Sequence, residues 1–221
     1  ASIEPGSMPA TDPERLRDQA ELMGNLVIDA VKATRPFEMN PKRSAEVNVL
    51  MTRMAAEMGL GDELIRPSIG IKPKIMVILD NANGNDARTG YFMENGYDDF
   101  KAKLLVSGDL RMGDLYVTGV CKKVKDKEKD YTKDEIGQFI DFMREEINLV
   151  RPTYVLTCGS RATSLFNNKS KPSDLVGRKE YLPDLDVTVF YGFNPNILYF
   201  RPEEGEKLEA ILAEVAETIN K

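Results

Sequence analysis

Two asparagine-rich segments hold the residues best suited to chemistry: Asp80-Asn81-Ala82-Asn83-Gly84-Asn85-Asp86 and Asn194-Pro195-Asn196. A side-chain amide carries both a donor and an acceptor. Asn81, Asn83, Asn194 and Asn196 can therefore orient a water or pair with the edge of a nucleobase without bringing charge. Asp80 and Asp86 place carboxylates beside them, and Tyr91 and Phe92 just downstream could stack on a flat ring. The same types have an ordinary role as well. Asn, Gly and Asp form turns because they tolerate positive φ and bond their own backbone, and core packing is the commoner fate of an aromatic.

What the chain lacks narrows the chemistry further. There is no histidine, which removes imidazole acid–base catalysis, the Ser-His-Asp arrangement and nearly every common zinc site. The two cysteines, Cys121 and Cys158, lie inside apolar runs and read as small buried hydrophobes, too few for a four-thiolate cluster and not a disulfide framework. No metal or cofactor is expected. The formal charge of -6 argues against a broad phosphate-binding surface, so any nucleic-acid contact must be local. No apolar run approaches the length of a membrane span and no signal peptide is visible, which makes the cytoplasm the default compartment.

Positioning these loops requires a scaffold, and 221 residues suffice for one core of about 150 residues with an appendage. Residues 1–11 read as a linker or expression remnant. Asp12-Pro13-Glu14 then opens a helix with Leu16, Ala20, Met23, Val27, Ala30 and Val31 at helical spacing. Asn40-Pro41 opens a second, lined by Val47, Leu50, Met51, Met54, Ala55 and Met58 and stopped by Gly59 and Gly61. Together they form a methionine-rich helical extension over 12–70. From Pro73 short apolar runs alternate with amphipathic stretches, as when strands are buried on both faces by helices. The strands predicted are Lys74–Leu79, Leu115–Val120, Tyr154–Thr157 and Val187–Tyr191. Helices are predicted near Tyr97–Val106, Asp134–Leu149, Ser160–Asn167 and Glu203–Asn220. Thr132-Lys133-Asp134-Glu135 is a capping box. Lys122 to Lys129, a mixed charge run, reads as a solvated loop. The expected fold is a three-layer α/β/α domain over 71–221 with a four-stranded, mostly parallel sheet. Ligands of such sheets bind at the carboxyl ends of the strands, where both asparagine-rich segments fall.

The order Ile75 to Gly84, Gly90-Tyr91-Phe92, Leu115 to Val120, Leu149 to Ala162 and Asn194-Pro195-Asn196 resembles the uracil-DNA glycosylase superfamily. The resemblance covers about Lys72 to Lys221 and is closest from Asp134 to Leu165, which is scaffold. It implies a uracil-DNA glycosylase-like fold and DNA, single-stranded or damaged, as partner. It also implies base flipping, with hydrolysis of the N-glycosidic bond of uracil or another damaged base by a DNA N-glycosylase. Asn81 would fall on the water-positioning place, as in the mismatch-specific branch, with Asp80 beside it. Asn194-Pro195-Asn196 would clamp the flipped nucleotide, with Asn194 supporting the departing base. Phe92 would be the base-stacking aromatic, with Tyr91 beside it. Asn83 and Ser160 would line the nucleic-acid site, and Ile197 to Tyr199, centred on Leu198, would be the wedge that enters the duplex. Asp80 stands where the family has a small glycine, Asn83 where it has proline, and Gly119 where it has Asn or Ser. The alternative is a catalytically inactive glycosylase-like module of a larger DNA replication or repair protein, such as a polymerase subunit, with a protein partner.

Overall fold

The computed structural model describes residues 13–34 and 37–221, with side chains described for 13–23 and 37–221. The chain divides into two units, Ala1–Pro36 and Phe37–Lys221. Of the first, the helix α1 (Pro13–Thr34) is described, with Leu16, Leu22 and Met23 exposed. The expected linker, the Asp12 cap and the side chains of Val27, Ala30 and Val31 lie outside the described residues.

The second unit opens with α2 (Pro41–Met58). Asn40 caps it by accepting the Arg43 N–H at 2.8 Å, Pro41 pre-sets the first helical φ, and Gly59 ends it in the left-handed region. Then follow β1 (Ser68–Ile69), β2 (Ile75–Ala82), α3 (Gly84–Thr89), α4 (Asp98–Val106), β3 (Leu115–Val124) and α5 (Lys133–Val150). The chain continues through β4 (Tyr154–Cys158), α6 (Ser160–Ser164), α7 (Pro172–Leu175), β5 (Lys179–Leu182), β6 (Val187–Gly192), α8 (Ile197–Phe200) and α9 (Gly205–Ile219). Among the described residues no helix is long and apolar enough to cross a membrane.

The sheet has six strands, not four, in the order β1-β3-β2-β4-β6-β5. The four predicted strands are its parallel centre, and β1 and β5 flank them antiparallel, which makes the sheet mixed. Both added strands are short edges: Ser68–Ile69 has two residues, and Lys179–Leu182 is only partly buried. Neither carries the continuous apolar run by which a central strand is recognised.

Side chains alternate across β2 and build two cores. Met76 and Ile78 join α2 and α5 on one face, through Leu50, Met51, Met54, Phe139, Met143 and Ile147. Ile75, Val77 and Leu79 join α4 and α9 on the other, through Phe100, Leu104, Leu208 and Leu212. Helix α2, assigned from the sequence to the extension, is thus packed into the same unit as the sheet. The charge run is not a solvated loop from its start, because β3 continues through Lys122 to Val124. Lys122 is 1% exposed, and its ammonium pairs with the buried Glu146 carboxylate at 2.8 Å while donating to the Gly119 carbonyl. The Tyr116 hydroxyl donates to the other Glu146 oxygen at 2.8 Å. A lysine at the end of a strand turns inward here because a facing helix supplies its counter-charge.

Candidate functional site

The chain leaves β2 for β3 on one side of it and then crosses to β4 on the other. The order therefore reverses between β2 and β4, the place where open α/β sheets form a crevice. Register pairs Leu79 with Cys158, which sets Asp80 against Gly159 at the carboxyl ends of these strands. The β2–β3 ladder is irregular at Asn81/Ala82, a bulge that re-aims the residues leaving the strand.

Asp80 turns into α6. Its Oδ1 accepts the Ala162 N–H at 2.9 Å, and the Arg161 and Ser160 N–H groups also stabilise it. Burial pushes the Asp80 carboxyl above its ordinary value, against the pull of those donors and of the Arg161 charge. Gly159 makes this packing possible. Its φ is 143°, and a Cβ there would lie 2.2 Å from the Asp80 carboxyl carbon. The Asn81 amide nitrogen donates to the Ala82 carbonyl at 3.0 Å.

Asn83 begins α3 rather than a loose turn. Its side chain accepts from the Asn85 and Asp86 N–H groups, while Asp86 Oδ2 accepts the Asn83 N–H at 2.9 Å, a reciprocal capping box. Asp86 is fully buried and also takes the Met93 N–H at 2.8 Å and the Tyr97 hydroxyl at 3.0 Å. One carboxylate thereby fixes the whole turn from 83 to 97. Burial raises the Asp86 carboxyl and, with the nearby Asp86 charge, the Tyr97 phenol.

The predicted residues do not all converge on one space. A cleft of about 300 Å³ is walled by Asp80, Ser160, Phe193, Asn194, Arg201 and Lys207 among others. A second, of about 440 Å³, is walled by Asp80, Asn81, Arg144, Ser160 and Arg161. Asp80 and Ser160 line both and form the partition between them, with Asn194 on the first cleft and Asn81 on the second. Asn83, Asn196 and Leu198 instead line a recess of about 50 Å³ with Tyr97 and Tyr199. Asn194 Oδ1 accepts the Asn196 N–H at 3.0 Å, which stiffens that turn. Tyr91 is exposed but is absent from all three walls, whereas Phe92 is 0% exposed. A Cβ at Gly119 would lie 2.5 Å from the Phe92 ring, so the glycine on β3 is what admits this aromatic to the core. In the apolar stretch after Asn196, Ile197 and Leu198 are half-buried, and the exposed tip is Tyr199 and Phe200, at 71% and 85%.

Sequence reasoning missed the cations of the two clefts: Arg144 and Arg161 in one, Arg201 and Lys207 in the other. Arg161 was within reach, since it directly follows Gly159-Ser160. Arg144 is one of many charges on an amphipathic helix, and nothing in its spacing marks it.

No family model matches the chain. It is 96% identical over 221 residues to the DNA polymerase III subunit alpha of Yersinia pestis, and it spans 19% of that protein's length. It is also similar to a type-4 uracil-DNA glycosylase of Archaeoglobus fulgidus, at 23% identity over 163 residues, 70% of this chain and 82% of that protein. The match supports a uracil-DNA glycosylase-like relationship. The α/β fold agrees with it, with the six-stranded mixed sheet in place of the four strands expected.

Proposed function

We propose that the chain is a glycosylase-like module that binds single-stranded or damaged DNA at the crevice between β2 and β4, without cleaving it, as part of a larger replication protein. One observation carries the non-hydrolytic reading: the groups a hydrolase would use are committed or separated. The Asp80 carboxylate is tied to the α6 backbone, Asn81 and Asn194 face different clefts, and Phe92 has no exposed face for a base. Hydrolysis of a flipped nucleotide needs a positioned water and a stabilised leaving base within one space. The similarity to a polymerase subunit, of which this chain spans 19%, supports the setting in a larger protein.

Binding at the Asn194 cleft is the testable part. Asn194 offers a donor and an acceptor beside Phe193 and Arg201, a wall able to take a base edge and a phosphate. Asn194→Ala is expected to weaken binding of a labelled single-stranded oligonucleotide about tenfold, the loss of roughly 1.4 kcal/mol, read by fluorescence anisotropy. Unchanged affinity would remove this cleft from the interface.

A second reading, hydrolysis, draws on the fact that Asp80 and Asn194 share the 300 Å³ cleft. In that reading Asp80, not Asn81, holds the water. It requires cleavage by the parent and its loss in Asp80→Asn.

A further inference from the structure

The cleft of Asn81 is built around two arginines from different elements, Arg144 from α5 and Arg161 from α6. Among the described residues each side chain is anchored through one nitrogen. Arg144 Nη1 donates to the Leu165 carbonyl at 3.1 Å. Arg161 Nη1 donates to Cys121 Sγ at 3.4 Å, with the guanidinium carbon 5.6 Å from the Tyr131 ring centroid. A guanidinium has five N–H donors, so most remain for a ligand.

Among the described residues neither arginine forms a side-chain ion pair, although carboxylates outnumber Lys and Arg by 36 to 30 and several surface pairs do form. The acid in this cleft is Asp80, and the α6 backbone holds it. Two pinned guanidiniums, set against one carboxylate already bonded to main-chain N–H groups, leave a net positive recess in an acidic protein. Phosphate oxygens are the anion that a pair of arginine forks fits best.

We propose that Arg144 and Arg161 together hold one backbone phosphate of single-stranded DNA, with the adjoining nucleotide passing over the Asp80–Ser160 partition toward the Asn194 cleft. This rests on the DNA-binding reading above. It explains how a chain of net charge -6 engages a polyanion, by a local grip instead of a broad basic face.

The test is the salt dependence of binding to a labelled oligothymidine, measured by anisotropy for the 221-residue chain. Replacing both arginines by alanine is expected to reduce the slope of log affinity against log salt by about 0.7, the share of one phosphate on a single strand, and to weaken binding at least tenfold. Arg161→Lys guards against a folding defect. It keeps the charge and therefore the slope, but loses the fork and weakens binding. Lys42→Ala, on α2, is the control that changes neither.

An unchanged slope and affinity in the folded double variant would overturn the inference alone, provided Asn194→Ala still weakens binding. No binding by the parent would overturn both it and the DNA-binding reading. Displacement of the oligonucleotide by thymidine monophosphate at equal nucleotide concentration would reassign the arginines to a free nucleotide and also overturn it.

Discussion

Asp80 carries the sharpest electrostatic consequence at the residue scale. Burial raises its carboxyl above the ordinary 3.8, so the folded chain holds this proton more tightly than the unfolded chain. The stability contributed is full below that value and falls as pH climbs through the raised folded one. Asp80→Asn keeps an oxygen for the Ala162 N–H and cannot titrate. Its stability relative to the parent is expected to improve as pH rises from below 3.8, as followed by urea unfolding; a relative loss over that range would contradict the assignment. Phe92 gives a second contrast. Phe92→Ala should cost about 3–5 kcal/mol, the range for a large core aromatic, yet leave the oligonucleotide affinity of the folded protein unchanged. A selective loss of affinity would return Phe92 to the base-stacking role. These two residues also show what the sequence could convey. The place of the two asparagine-rich segments at the strand ends was legible, because sheet topology is periodic, although the first proved to be the end of β2 and the cap of α3 and not a turn. That Asp80 bends into α6 and Phe92 packs over Gly119 depends on neighbours 82 and 27 positions away, which no spacing reveals.

Elements were read well where caps and periodicity agreed. The Asn40–Pro41 start and the Thr132–Glu135 capping box mark α2 and α5 as the structure has them. The helix after Gly159-Ser160, predicted to run to Asn167, ends as an α-helix at Ser164, and short edge strands escaped notice. The joint between β3 and α5 is the informative failure. A lysine-rich run looked solvated because pattern alone cannot show that Glu146, on a helix 24 residues later, points at Lys122. Breaking one side of such a buried pair strands the other charge. Lys122→Met alone is therefore expected to destabilise by about 3–5 kcal/mol, and adding Glu146→Met should restore much of it. Thermal unfolding of both variants decides this, and a double variant worse than the single one would mean the pair itself is strongly stabilising.

For the molecule as a whole, the parallel central strands and the two buried sheet faces follow from the alternation of apolar runs and amphipathic helices, which is why the α/β class was legible. The partition was not, because it arises where two strand ends meet a helix start and splits one expected pocket into two clefts. On that partition rests the proposal that this unit binds DNA and does not cut it. Single-turnover incubation of excess protein with labelled single- and double-stranded oligonucleotides carrying uracil, hypoxanthine or a mismatch tests it most directly. No strand scission after alkali is expected at protein concentrations where the oligonucleotide is fully bound. Cleavage by the parent would contradict it: loss in both Asn81→Ala and Asn194→Ala would place the chemistry across the Asp80–Ser160 partition, and loss in Asp80→Asn and Asn194→Ala but not Asn81→Ala would place it in the Asn194 cleft.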